Sequence, residues 1–240
     1  MKNLIITADD FGASHSVNEA IERLYQAGFL TQASLMLGEP AADEALRIAR
    51  RNPGLTIGLH LTLSTDSVGK FTRNPVLANL RYLLDPRTGE MLEREIESQF
   101  LRFRGHGFAC CYFDGHTHIH LNPAVFPRVL PVAIRHGFHA VRLVREWGTN
   151  SPKPLVLRLL SERVRPTLES HGIRFVDGVY GLSCTGRVNT RVVRQVIDGV
   201  PYGLSEFYFH PGAERGELEV EPLLEAIRDC GIELKSWCNA

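Results

Sequence analysis

The chain has 240 residues, 44% of them hydrophobic and 22% charged, with 27 Lys+Arg balancing 27 Asp+Glu. That composition belongs to an ordinary water-soluble globular protein and excludes the disordered and collagen-like classes. Zero formal charge gives no electrostatic drive toward nucleic acid or an anionic membrane. No apolar run approaches the roughly 20 residues of a membrane helix. The apolar stretch Leu4–Ile6 is broken by Thr7, Asp9 and Asp10, well short of the ~7–15-residue core of a secretory signal. A cytoplasmic protein with one domain over residues 1–240 is expected. The five cysteines (Cys110, Cys111, Cys184, Cys230 and Cys238) are odd in number and lack CxxC spacing, and read as small buried thiols.

In chain order, Asn3–Ala8 is a β-branched apolar run that reads as a strand. A helix follows over Ser16–Leu24, with Val17, Ala20, Ile21 and Leu24 on one face and Ser16 and Glu19 as a capping box; Gly28 closes it. Thr31–Leu37 reads as strand, Ala41–Arg51 as helix and Leu55–Leu63 as strand. A polar stretch to Pro75 precedes helical segments at Val76–Leu84 and Glu90–Arg104. Strands at Phe108–Phe113, Ala140–Val144, Ile173–Val176, Ser205–Phe209 and Glu233–Trp237 alternate with helices at Pro123–His136, Pro154–His171, Thr190–Gly199 and Glu221–Cys230. Such alternation argues for a parallel sheet, and about eight strands favour a closed (β/α) barrel. Asp9-Asp10-Phe11-Gly12 stands where an open dinucleotide-binding sheet would carry GxGxxG. Two helical segments between the third and fourth strands leave regular eightfold closure open.

Polar residues gather at strand ends. Asp9 and Asp10 end the first strand, His60 lies near the end of the third, and Asp114, His116, His118 and His120 follow the fourth. Arg142 sits in the fifth and His210 ends the seventh. Carboxyl ends of parallel strands share one face, so these residues should converge. Adjacent aspartates point in different directions and can take different tasks. Three histidines at alternate positions would share one face of an extended strand, with Asp114 fixing the tautomer of one imidazole. Two histidines and one aspartate form an open ligand set typical of catalytic metal sites, suited to hydrolysis. His210, before Pro211-Gly212, could protonate a leaving group. Phe11, Tyr112, Trp147, Tyr180 and Tyr208 could stack on a sugar, although each reads first as core.

Taken in order, Thr7-Ala-Asp-Asp-Phe-Gly12, Gly58-Leu-His60, Asp114-Gly-His-Thr-His-Ile-His120, Val141-Arg142 and His210-Pro211 resemble the YdjC/ChbG-like carbohydrate deacetylases. The likeness includes Asn18 and the Ser34–Leu37 strand and extends toward the hopanoid-associated, HpnK-like branch. It implies a distorted TIM-like barrel of the glycoside hydrolase/deacetylase type that removes an N-acetyl group from an amino sugar. It further implies one divalent ion on Asp10, His60 and His116, with ion-bound water attacking the amide carbonyl. Asp9 would be the base and His210 the acid, while Arg142 would line the pocket or steady Asp9. Asp114, His118 and His120 would support the ligands or meet substrate. The family implies magnesium, whereas the donor set suits zinc or another transition ion; it also implies a homodimer. Many members read Asp-Ser-His-His-His where this chain has Asp-Gly-His-Thr-His, which removes any contact made by a second histidine directly after His116. The segment Ser64–Pro75 is short, which would reshape the pocket rim.

Other hydrolases fit less well. A phosphoesterase needs cationic clamps, and no Lys/Arg cluster lies near the motifs. A glycosidase needs carboxylates ~5–9.5 Å apart, which adjacent residues rarely supply. A sugar- or metal-binding homologue without turnover is the remaining alternative.

Overall fold

The computed structural model describes residues 1–63, 86–109, 112–146, 152–176, 178–214 and 216–240. The expected helix over Val76–Leu84, the Ser64–Pro75 rim and Trp147 lie outside them. Eight strands are present among the described residues: β1 (Lys2–Phe11), β2 (Gln32–Leu35), β3 (Thr56–Leu61), β4 (Tyr112–Gly115), β5 (Ala140–Val141), β6 (Gly178–Tyr180), β7 (Gly203–Phe209) and β8 (Ile232–Lys235). The helices are α1 (His15–Gln26), α2 (Ala42–Arg51), α3 (Pro86–Gly105), α4 (Phe126–Arg135), α5 (Pro152–Ser170), α6 (Thr190–Gly199) and α7 (Val220–Asp229), with a short 3₁₀ segment at His116–Leu121.

All strand pairs are parallel, in the order β5-β4-β3-β2-β1-β7-β6. The sheet curls until a single bridge, Ala140 to Arg174, joins β5 to the segment before β6. β8 pairs with the first half of β1, Lys2–Ile5, and β2 takes over from Thr7. The expected strand at Ile173–Val176 is therefore reduced to that bridge. The sixth ladder instead forms at Gly178–Tyr180.

The strand period of two separates two kinds of interior. One face of each strand meets the helices through aliphatic and aromatic side chains. Phe100 and Phe138, for example, meet edge to face with centroids 4.9 Å apart, and Phe100 meets Phe113 at 5.5 Å. The other face turns into the barrel, and it is polar: Thr7, Asp9, Gln32, Ser34, His60, Asp114 and Glu206 are all buried. Burying so many polar groups is tolerable only where they satisfy one another.

Ser14, not Ser16, caps α1, its Oγ accepting from Val17 N at 3.3 Å. Gly28 (φ 77°) ends the helix as expected, donating to Tyr25 O. Cys184 and Cys230 are free, but Cys238 is disulfide-bonded, which corrects the reading of every cysteine as a thiol. No described helix is long and apolar enough to cross a membrane.

Candidate active site

The site starts from a break in β1. Its register with β2 shifts between Ala8 and Phe11, a bulge, and Asp10 takes φ 62°. The left-handed region costs a non-glycine residue of order 1 kcal/mol, and bulges re-aim side chains. Here the bulge lets two consecutive aspartates both reach the barrel mouth. Gly12 (φ 99°) follows, its N–H donating to Asn18 Oδ1 at 2.8 Å.

Asp10 Oδ1 lies 3.0 Å from His116 Nδ1 and 3.3 Å from His60 Nε2. The donor atoms of Asp10, His60 and His116 lie within 4.8 Å of one another. His60 Nδ1 is 2.6 Å from Asp114 Oδ1. With a carboxylate on that side, Nδ1 carries a proton and Nε2 is the nitrogen turned toward Asp10, the orientation seen behind ligating histidines. Asp114 thus supports His60 and none of the histidines in its own cluster. Its Oδ2 accepts from Ser34 Oγ at 2.8 Å and lies 2.9 Å from an Arg142 nitrogen.

Asp9 stands on the other side of Arg142. The guanidinium donates to both Asp9 oxygens, at 2.7 and 2.9 Å. It also donates to Glu206 Oε1 through Nε and a terminal nitrogen, at 3.0 and 2.9 Å. Arg142 is fully buried, so it steadies Asp9 and does not line a pocket. Glu206 Oε1 accepts from Thr7 Oγ1 at 2.7 Å, and Thr7 accepts from Gln32.

Charge follows from this geometry. Burial works against ionised Asp10, yet hydrogen bonds and charge from His116 and His60 outweigh it and hold its carboxyl well below the usual range. Asp114 is held low in the same way, by Arg142 and His60 against burial. His60 resists burial through Asp114 and Asp10 and is pushed up to about 10. For Glu206 burial wins and raises its pKa. The centre therefore attracts positive charge.

The histidine cluster departs from expectation. β4 stops at Gly115, and His116–Leu121 winds into the 3₁₀ segment with Thr117 (φ 52°) and His118 (φ 63°) left-handed. His116 consequently parts from His118 and His120, whose rings meet edge to face with centroids 6.5 Å apart, and the three do not share a strand face. His116 stays at the mouth, half-exposed. His118 Nε2 meets Tyr208 OH at 3.1 Å, and His120 Nε2 donates to Arg142 O at 2.8 Å, both buried. Burial holds His118 well below its ordinary pKa and pushes His120 down to about 4.

His210 follows β7. Burial lowers its pKa, but Glu214, Asp9 and Asp10 together raise it. Among the aromatic candidates, Phe11, Tyr112 and Tyr208 are core and Tyr180 is half-buried. Sequence reading missed Ser34, Glu206 and Glu214. A signal existed for the first two. Polar residues at alternate positions, Thr7/Asp9, Gln32/Ser34 and Glu206 before His210, mark a strand face turned into a polar lumen.

The fold and site together define a parallel α/β barrel with one acidic, histidine-bearing centre at the carboxyl ends of its strands. A sequence model of the YdjC-like proteins matches residues 3–233, and the chain belongs to that family. It is 30% identical over 220 residues to a carbohydrate deacetylase of Brevibacillus brevis, covering 87% of this chain and 80% of that one. It is also 30% identical to one from Mus musculus, covering 87% and 77%. A solved structure from Enterococcus faecalis V583, described as a candidate cellobiose-phosphate cleavage protein, superposes with a TM-score of 0.70 over 98% of this chain and 97% of that one, at 20% identity.

Proposed function

We propose that this protein is a carbohydrate deacetylase, a single YdjC-like domain over residues 1–240 that hydrolyses the N-acetyl group of an amino sugar. The observation that carries the reading is the convergence of Asp9, Asp10, His60 and His116 at one barrel mouth, with Arg142 and Asp114 behind them. Relatives named carbohydrate deacetylase support the substrate class.

Asp10, His60 and His116 fit a divalent cation: their donor atoms are close, one carboxylate is held ionised, and Asp114 holds His60 so that Nε2 faces the centre, where a cation would displace its proton. Such an ion would supply Lewis acidity, polarising the acetyl carbonyl and acidifying water. The donor set suits zinc or another transition ion, and the family resemblance favours magnesium. His60→Ala or His116→Ala should deplete bound metal, measured by elemental analysis of dialysed protein.

Asp9 accepts the proton of the attacking water. Arg142 occupies one side of each carboxylate oxygen and leaves a second lone pair on each for that proton. The C–N bond then breaks, and His210 gives its proton to the departing amine, releasing acetate and a free amino sugar. A phosphoryl substrate is disfavoured, because Arg142 is fully committed to carboxylates.

Acetate release from N-acetylated chito-oligosaccharides, with and without chelator, tests the reading. Chelator-sensitive acetate is expected. Sugar binding with no acetate would point to a non-catalytic homologue.

A further inference from the structure

Glu214 stands four residues beyond His210 with its side chain 5% exposed. Its carboxylate joins two segments: Oε2 accepts from Val188 N at 3.0 Å and Oε1 from His210 N at 3.4 Å. The same Oε1 lies 3.7 Å from His210 Nδ1. That nitrogen is buried and has no hydrogen-bond partner among the described residues. A buried, unpaired ring nitrogen facing a carboxylate calls for an explanation.

We propose that Glu214 is a positioning residue for His210: its carboxylate takes the Nδ1–H hydrogen bond, fixes the neutral ring's tautomer and leaves Nε2 to take up the proton that the imidazolium then gives to the leaving amine. The proposal rests on the acid role given to His210 above. Neutral imidazole has one donor and one acceptor nitrogen, so an acceptor-only carboxylate selects Nδ1–H. A separation of 3.7 Å is too long for the bond itself, but catalytic hydrogen bonds in empty sites commonly tighten on substrate binding. The backbone cannot supply a competing adjustment. At Gly212 (φ 79°) an added Cβ would sit 2.9 Å from Ser16 O and 3.0 Å from Val17 Cα, so the loop lies hard against α1. Ala213 N closes the turn onto His210 O at 3.1 Å. Rotation of the imidazole is the freedom that remains, and Glu214 is the group placed to set it.

Glu214→Gln removes the charge and keeps the shape. Its kcat on an N-acetyl sugar should fall about 10- to 100-fold, within the usual range for acid–base catalysis. On an activated aryl acetate, whose leaving group needs no proton, the loss should stay below about threefold. In a His210→Ala background the same change should add nothing, because both act through one group. Metal content and Tm should match wild type. Equal loss on both substrates, or an undiminished loss without His210, would reduce Glu214 to a loop staple and overturn the proposal. A measurement on the unmutated protein covers failure of the variant to fold. Long-range ¹H–¹⁵N spectra recorded at a pH where the ring is neutral, with His210 assigned by its loss in His210→Ala, should show the Nδ1–H tautomer; the Nε2–H tautomer overturns the inference. An unmutated enzyme that releases no acetate would instead sink the deacetylase reading, and the spectrum would still judge Glu214.

Discussion

Arg142 holds one positive charge among three carboxylates, Asp9, Asp114 and Glu206, with no exposed surface. Removing one partner from a buried ionic group is costly because the others stay buried and unpaired. Arg142→Met should therefore lose about 3–5 kcal/mol of stability in urea unfolding. Arg142→Lys should not restore activity, since an ammonium cannot make the paired contact to Asp9. Asp9→Asn should leave metal content near wild type while turnover drops about 10²- to 10⁴-fold; undiminished activity would remove Asp9 from the mechanism. His118 and His120 yield a pH prediction with a definite sign. Their folded pKa values lie below the unfolded value near 6.5, driven down first by burial. For His120, pushed down to about 4, the unfolded chain binds more protons between about pH 4 and 6.5, so its contribution is present above 6.5 and lost as pH falls toward 4, and His118 acts in the same direction. The urea midpoint should drop between pH 7.5 and 5, and His120→Asn should flatten that slope. Asp9, Asp10, His60 and Arg142 were legible in the sequence because charged or titratable residues interrupt apolar strands. Glu206 was harder to read: its alternation with His210 is the signal, and without it a lone Glu in Gly203–Phe209 looks like an exposed strand position.

At the scale of elements, the site depends on two local departures from regular structure, the β1 bulge at Asp9–Asp10 and the 3₁₀ segment after β4. Neither was readable in advance. Period-two histidines after a strand satisfy an extended template, and only the docking of His120 against the Arg142 carbonyl and of His118 against Tyr208 reveals the winding. Strand and helix placement was recovered closely wherever apolar periodicity was strong, as at Thr190–Gly199, where the observed bounds agree with the expected ones. It was poorest where a ladder is only two or three residues long, as in β5 and β6. Gly58 shows how tightly the lumen is packed. A Cβ there would lie 2.2 Å from the Tyr112 ring, and Tyr112 OH is 3.1 Å from Ser34 Oγ, which serves Asp114. Gly58→Ala should cost about 1–3 kcal/mol through overpacking and raise KM or lower kcat by displacing Ser34, checked by thermal unfolding beside steady-state kinetics.

For the whole molecule, composition and alternation anticipated a parallel barrel, and the curled sheet agrees with that architecture. What they could not convey is its polar filling. A sequence shows that Gln32, Ser34 and Glu206 are polar, but not that the curl points them at one another. Closure also brings distant parts of the chain together at a single strand. β1 is held by β7 and β8 over Lys2–Ile5 and by β2 farther along. β1 thus waits for Ile232–Lys235, far along the chain, before its ladder is complete. Nascent chains should remain open to protease until Lys235 has left the exit tunnel, and Asp9 and Asp10, on the same strand, would find their places late.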